Sequence, residues 1–360
     1  MKLWAAVSRV WRWEFWPAWF FYLPLVPWIV VLSVRHRGLN VITAANPTIP
    51  LGGLVGESKH EIIASLPAKF AVPSGLIPAG DGSVRDAEHA DADARLAVLD
   101  GLVTAGVVGF PMALKPNAGE RGAGVRFVED RAAAAAYLRQ VTAPVLAQSL
   151  DPGPFEAGIF YVLCPKTGRG RIFSITDKVF SVVEGDGRSS VEDLIWQHPR
   201  YRMQAGVFLR RLRKRAAMVP AVGERVVLAR AGNHSQGTMF LDGSRLWSEE
   251  LEATIDTMAR AAGVRFGRFD VRYSDPDELR AGLGLRAVEL NGITSESTNI
   301  YDPRRGLLRA YAMLYRQWAI LFRIGAAARR SGIRPAGHRE MLTAVLSHNR
   351  RGSQQSMVSD

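Results

Sequence analysis

Arg268-Phe269-Asp270-Val271 and Val288-Glu289-Leu290-Asn291 decide how this chain is read. In a strand, residues i and i+2 share a face, so Arg268 and Asp270 point one way while Phe269 and Val271 point the other. Glu289 and Asn291 share a face in the same manner, with Val288 and Leu290 opposite. Ser274-Asp275-Pro276-Asp277-Glu278 and the stretch to Gly284 supply turn chemistry between them, which predicts two antiparallel strands whose polar faces meet. Asp270, Glu289 and Asn291 would then offer three hard oxygen ligands. That set suits Mg²⁺ completed by substrate phosphates, and the absence of sulfur or paired histidines disfavours soft metals. An ordinary half-buried hairpin with salt-bridged polar residues is the alternative from these strands alone.

A second motif lies far upstream, from Phe110 through Lys115-Pro116-Asn117-Ala118-Gly119-Glu120-Arg121-Gly122-Ala123-Gly124-Val125. An apolar strand delivers Lys115 as a point charge for phosphate. Gly119, Gly122 and Gly124 let backbone N–H groups approach anionic oxygens without an obstructing Cβ. No Gly-Lys-Ser/Thr closes the loop, so it is not a Walker loop, and its spacing also fails the dinucleotide fingerprint. A plain hairpin connection is the alternative here.

Taken in order, the lysine-proline strand end with its glycine loop, the Gly267-Arg268-Phe269-Asp270-Val271 strand and the Glu289-Leu290-Asn291 strand resemble the ATP-grasp ligases. Gly185-Asp186-Gly187-Arg188-Ser189-Ser190-Val191-Glu192-Asp193-Leu194-Ile195 and Gly232-Asn233-His234-Ser235-Gln236-Gly237 are similar to segments of the cyanophycin-synthetase and glutathione-synthetase-like branch. The resemblance covers roughly residues 55 to 320. It implies an α+β fold of two lobes with the nucleotide between them.

The resemblance also implies roles for individual residues. Lys115 contacts nucleotide phosphates, and residues 117 to 124, including Arg121, form the mobile loop over them. Lys59, with Lys69 as a substitute, is the earlier phosphate lysine. Gln148 lies beside the adenine, Glu156 takes the ribose hydroxyls, and Lys178 stands near the transferred phosphate. Asp270, Glu289 and Asn291 hold the metal, and Arg268 steadies the reacting oxygens. Solvated lysines, a solvated loop arginine and a strand-edge amide are the ordinary alternatives for Lys59, Lys178, Arg121 and Gln148. His234 faces substrate or makes a structural hydrogen bond.

The implied chemistry is ATP- and Mg²⁺-dependent, with Mn²⁺ an admissible substitute. A carboxylate substrate is phosphorylated to an acyl phosphate, which an amine or a thiol then attacks. The implied partners are small-molecule carboxylates and amines. The loop Gly292-Ile293-Thr294-Ser295-Glu296-Ser297-Thr298-Asn299 is where the family grips substrate, but it departs from the D-alanine ligase pattern. A membrane-anchored ATP-binding regulatory protein without turnover is the rival reading, and a phosphotransferase is another. Cys164, the single cysteine, excludes an intramolecular disulfide and reads as a small apolar filler.

The N-terminus departs from the family, since too few residues precede Lys59 to build a separate lobe. From Phe15 to Val34 there is no charge, a length sufficient to cross a bilayer. Trp4, Trp11, Trp13, Trp16, Trp19 and Trp28 suit the headgroup boundary, and Lys2, Arg9 and Arg12 make the preceding stretch basic. Pro17, Pro24 and Pro27 interrupt a straight helix, which brings a re-entrant or interfacial segment into competition with a span. With 46 Lys and Arg against 34 Asp and Glu, the formal charge is +12. The densest run, Arg210, Arg211, Arg213, Lys214 and Arg215, lacks stacking platforms or a reader motif for nucleic acid, so anionic membrane lipid is the expected partner unless the run is simply solvated.

The expected organisation is a membrane-associating segment at 1–37, a Pro/Gly-punctuated linker at 38–56, a catalytic domain at 57–325 and a basic polar tail at 326–360, disordered at its end. Homo-oligomerisation is compatible with this reading. ATP and Mg²⁺ place the catalytic part in the cytoplasm, on a bacterial cytoplasmic membrane.

Overall fold

Two antiparallel sheets face each other across a cleft. The structure, a computed structural model, describes residues 12–80, 87–118, 124–229, 232–234 and 237–355. The first sheet contains β1 (Ser74–Ile77), β2 (Met112–Pro116), β3 (Arg126–Val128) and β4 (Val145–Ser149), in the order β1-β4-β2-β3. Helices Ala87–Thr104 and Arg131–Leu138 cover one face of it, burying Leu96, Leu99, Tyr137 and Leu138 against Ile77, Met112, Leu114 and Val128. Asp130 begins the second of these helices by accepting the backbone N–H of Ala133.

The second sheet contains β5 (Phe155–Leu163), β6 (Gly170–Val179), β9 (Met239–Asp242), β10 (Phe266–Tyr273) and β11 (Leu285–Asn291), in the order β11-β10-β5-β6-β9. Helices cover both sides, so its central strands are apolar on both faces except where they reach the cleft. On β10, Phe269, Val271 and Tyr273 pack with Leu251, Ile255 and Met258 of helix Glu249–Ala261. Phe266 on the other face joins Phe160, Val162 and Phe322 of helix Leu307–Arg330. Further along that same face stand Arg268, Asp270 and Arg272. A small sheet of β7 (Val182–Glu184) and β8 (Arg225–Val227) carries helices Val191–Gln197 and Ala205–Leu212 as a satellite.

Phe269 is fully buried at the centre of the larger core. Phe269→Ala is expected to cost about 3–5 kcal/mol through lost transfer energy and the cavity left behind, read as a lower denaturant midpoint at unchanged slope.

Ser248 begins helix Glu249–Ala261 by accepting the backbone N–H of Leu251. The segment expected as a linker is instead core. Leu39–Ala45 forms 3-10 turns whose Val41, Ile42 and Ala45 pack against helix Leu307–Arg330. Asn46 is fully buried and satisfied. Its amide donates to the carbonyls of Gly52 (3.1 Å) and Phe266 (2.7 Å) and accepts from the N–H groups of Arg265 (2.9 Å) and Phe266 (3.1 Å). These bonds tie the segment to the start of β10. Gly53 follows with φ +84°, and a Cβ there would sit 2.7 Å from the Cα of Gly292, so the close approach of these two loops requires glycine. The tail is also structured, with helices Leu307–Arg330 and His338–Gln355; the last residues, 356–360, lie outside the described part.

The uncharged N-terminal stretch is broken into helices Ala18–Tyr22 and Leu25–Arg35. Phe21, Leu25 and Leu32 face inward onto helix Leu307–Arg330 and its neighbourhood. Tyr311 donates to the carbonyl of Phe21 (2.9 Å), Tyr315 to that of Pro24 (2.7 Å), and Trp28 to that of Tyr315 (3.0 Å). Trp19, Phe20, Leu23, Val26, Val30, Val31 and Val34 remain exposed on the outside. Among the described residues no single helix is long and apolar enough to cross a membrane. Leu25–Arg35 taken together with Leu39–Ala45 has the length and composition, but the pair is bent by 81° and its second member is buried in the body. Lys2, Trp4, Arg9 and Trp11 lie outside the described residues.

Candidate active site

The two polar strands meet as their alternation predicts. Asp270 stands directly opposite Glu289, and Arg268 opposite Asn291, on one face of the β10/β11 ladder. Helix Pro276–Arg280 fills the expected turn region, capped by Asp275. Immediately beyond Asp270 the register shifts, since Val271 pairs with Ala287. Val288 is therefore the extra residue of a β-bulge. Its carbonyl accepts hydrogen bonds from Lys115 Nζ (3.1 Å) and Gln148 Nε2 (3.3 Å) of the first sheet. The bulge joins the sheets at the point where the alternation rule had assigned Val288 to the opposite face with Leu290.

Lys115 ends β2 in the cleft, where it also donates to Gln148 Oε1 (2.9 Å). Burial pulls its ammonium down to about 8; the charge of Glu289 resists this and that of Lys59 adds to it. Lys59 starts helix Lys59–Ala64, which Ser58 caps, and reaches Glu289 Oε1 at 3.1 Å. Asn117 orients that turn. Its carbonyl accepts from Lys59 N (2.9 Å), its Oδ1 from His60 N (2.9 Å), and its Nδ2 donates to Ser58 Oγ (3.0 Å). Lys69 instead lies over the Phe70 ring, away from the cleft.

Across the cleft, Lys178 of β6 is buried between Glu156 Oε1 (2.7 Å) and Asp270 Oδ2 (3.2 Å). Arg268 donates to Asp270 through Nε (2.9 Å) and its second terminal nitrogen (3.2 Å). Arg272 Nε holds the other oxygen of Glu156 at 3.0 Å. Burial alone would lower Lys178 and Arg268, yet Asp270 and its neighbours leave both raised. Burial likewise pushes Glu289 up, but Lys59 and Lys115 bring it well below the ordinary carboxylate value. Glu289 is thus ionised at neutral pH. Glu156, expected at ribose hydroxyls, has both oxygens engaged by Lys178 and Arg272; what its position supports is the alignment of Lys178.

Asp270, Glu289 and the Asn291 amide present hard oxygens on one face, and among the described residues Asn291 Nδ2 has no hydrogen-bond partner despite its burial. An amide not locked by partners is free to turn its oxygen toward a cation, so this donor set fits a divalent metal such as Mg²⁺. Among the described residues no cluster of three or more His, Cys, Asp or Glu is placed to hold a metal ion, so the donors here are two carboxylates and an amide.

Gly119, Arg121 and Gly122 lie outside the described residues. Gly124, at the end of their loop, has φ +72° and accepts from the Tyr137 hydroxyl at 2.7 Å. Lys59, Lys115, Gln148, Glu156, Lys178, Arg268, Asp270, Glu289 and Asn291 line a cleft of about 740 Å³. The other end is lined by Glu14, Tyr22 and Tyr301, which the sequence reading missed, by Trp16, which it assigned to a headgroup boundary, and by Glu296, which lies in the loop it expected to grip substrate. A lone Glu14 within a tryptophan-rich stretch was the available signal. Its carboxylate is buried, ion-paired with Arg200 (3.1 Å) and hydrogen-bonded to His234 (3.0 Å), so His234 serves the N-terminal segment and lines the cleft as well.

No protein-family model matches the chain, and no curated protein sequence matches it. Solved structures do match. They include a bifunctional glutathione synthetase from Pasteurella multocida (18% identity, 71% of this chain and 35% of that one, TM-score 0.35). The ATP-grasp ligase PsnB complexed with minimal precursor is a second (18%, 71% and 60%, 0.34). The D-alanine–D-alanine ligase from Bacillus anthracis is a third (12%, 82% and 69%, 0.37). The chain spans about a third of the length of the first and three fifths of the second. Each of these three proteins is named a ligase or a synthetase, and this chain is similar to them over most of its own length.

Proposed function

We propose that this chain is an ATP-grasp ligase that joins a carboxylate to an amine and releases ADP and phosphate. The observation that carries the reading is the convergence of Lys59, Lys115, Lys178 and Arg268, drawn from both sheets and the preceding turn, on the face formed by Asp270, Glu289 and Asn291. Such an array serves a polyanion whose charge shifts during reaction.

In this reading the triphosphate enters between the sheets, with Lys115 and Lys59 on its oxygens. Asp270, Glu289 and Asn291 would hold Mg²⁺, which supplies charge neutralisation at the phosphates when bound. A substrate carboxylate oxygen attacks the γ-phosphorus. That O–P bond forms, the β–γ bridging bond breaks, and ADP leaves. Lys178 and Arg268, fixed by Glu156 and Asp270, stabilise the charge at the transferred group. The amine nitrogen then attacks the acyl carbon, a C–N bond forms, phosphate departs, and the nitrogen gives up a proton to solvent. No protein nucleophile takes part.

The apolar outer face of residues 19–34, with Arg35 and Arg37 beside it, supports attachment in the plane of an anionic cytoplasmic membrane surface. The bent, half-buried course of the segment argues for lying on the bilayer over crossing it.

Lys115 gives the reading a pH signature. Phosphate selects its ammonium form, and with burial holding that group near 8, Mg-ATP affinity of the free protein is expected to fall as pH rises above about 8. The loss approaches about tenfold per pH unit. Lys115→Arg, charged throughout, is expected to flatten that limb in a calorimetric titration series.

Turnover itself is tested with Mg-ATP and pools of carboxylates and amines. Equal release of ADP and inorganic phosphate is expected. ADP without inorganic phosphate would point to a phosphotransferase, and nucleotide binding with no turnover on any pool to a regulatory protein.

A further inference from the structure

The cleft has a second end that the phosphate chemistry does not use. Trp13, Trp16 and Phe21 from the N-terminal segment form its walls with Phe240 and Tyr301, and Glu296 presents a carboxylate among them. Tyr22 donates its phenolic hydrogen to Glu296 Oε2, and the hydroxyls of Tyr22 and Tyr301 lie 3.2 Å apart. Burial, together with the charge of Glu296, pushes Tyr301 well above the ordinary phenol value, so it remains a donor at neutral pH.

This end is indexed to the reacting face by one guanidinium. Arg268 binds the Asp270 carboxylate and also donates to the Glu296 backbone carbonyl at 3.0 Å. At the phosphate end Lys59, Lys115, Lys178 and Arg268 stand among the carboxylates Glu156, Asp270 and Glu289, whereas at the other end the Glu296 carboxylate is framed by phenols and indoles and also acts on the charge of Arg268. A donor carboxylate is repelled by Glu296 and drawn to Lys178 and Arg268. A cationic amine meets the opposite field, and aromatic faces add attraction for it. Glu14, the other acid here, is paired with Arg200 and hydrogen-bonded to His234, and holds the segment in place.

We infer that Glu296, with the phenols of Tyr22 and Tyr301, is the recognition point for the amino group of the acceptor, and that the aromatic walls take an apolar body attached to it. The N-terminal segment is then part of the substrate site as well as a surface element. This rests on the ligase reading and names the class of its second substrate: a primary amine carrying an apolar or aromatic group.

The test is a ligand-observed NMR titration of the full-length chain at pH 7 with benzylammonium and with benzyl alcohol, without nucleotide. The wild type is expected to bind benzylammonium at least about tenfold more tightly, as a desolvated ion pair with aromatic contacts allows. Glu296→Gln is expected to abolish that preference while leaving benzyl alcohol binding unchanged. Tyr22→Phe, which removes a single oxygen, is expected to reduce the preference several-fold, and it decides the matter should Glu296→Gln lose cooperative melting. Equal binding of the two probes by wild type, or a preference that survives in Glu296→Gln, overturns the assignment. Failure of the ligase reading is seen separately as absent ATP turnover, and a Glu296-dependent amine preference beside that result upholds the amine site alone.

Discussion

Glu289→Gln is expected to reduce ATP turnover by a factor on the order of 10³ with the fold intact, in line with losing a fixed charge from a preorganised site. Glu289 stands opposite Asp270 in the ladder and pairs with Lys59, and its charge also supports the buried ammonium of Lys115. The amide keeps the shape and surrenders all three electrostatic roles. Two cations then face each other without their shared partner, and the metal face retains one carboxylate. A second consequence separates this account from simple damage. With Glu289 neutral, Lys115 loses its proton more readily, so the alkaline limb of Mg-ATP affinity moves below pH 8. ADP release, far-ultraviolet circular dichroism and the pH series together check it.

Lys178→Met is the second large effect, and it falls on stability as well as activity. The substitution is close to isosteric, yet it leaves Glu156 and Asp270 buried without the ammonium between them. Breaking a buried pair from one side costs about 3–5 kcal/mol. Arg272 and Arg268 still hold one carboxylate each, which places this case at the lower end, about 3 kcal/mol. The pH dependence has a definite sign. The Lys178 ammonium is raised above its ordinary value by Asp270 and Glu156 against the pull of burial, so what it contributes to stability is complete below the unfolded lysine value and is lost as pH rises through the folded one. The deficit of Lys178→Met relative to wild type is therefore full at neutral pH and narrows in the alkaline range. Glu156→Gln in the Lys178→Met background should recover part of the loss. Thermal melts at several pH values, with ADP release beside them, check both effects.

How much of this was legible in the sequence depends on the range of the interaction. The faces of β10 and β11 follow from period-two alternation, so Arg268, Asp270, Glu289 and Asn291 could be grouped before any coordinates. Helix Glu249–Ala261 was equally plain, because its cap and its apolar stripe are local. The bulge at Val288 was not legible. No glycine marks it, and it makes sense only once Lys115 and Gln148 arrive from the other sheet. The pairing of Lys59 with Glu289 joins residues remote in the chain and leaves no local trace.

The N-terminal stretch misled for a physical reason. Hydropathy counts apolar residues without saying what they face, and here Phe21, Leu25 and Leu32 face the protein while Trp19, Val30 and Val34 face outward. Of the prolines expected to interrupt it, Pro17 and Pro24 stand ahead of the two helices, while Pro27 lies within the first turn of Leu25–Arg35. In the segment from Asn40 to Gly56, glycine and proline suggested a connection, yet Asn46 with its four backbone hydrogen bonds makes that segment part of the core. Tyr22 and Glu296, 274 residues apart, meet only because that core holds both segments at one end of the cleft.

The central claim is that the cation array and the Asp270–Glu289–Asn291 face activate a carboxylate through phosphoryl transfer. Hydroxylamine tests it most directly, because it traps an acyl phosphate as a hydroxamate without requiring the natural amine. Incubated with Mg-ATP, hydroxylamine and a pool of carboxylates, the wild-type protein is predicted to form hydroxamate in step with ADP, and Glu289→Gln to form almost none. ADP formed without hydroxamate on any carboxylate, or hydroxamate formed equally by Glu289→Gln, would contradict the account.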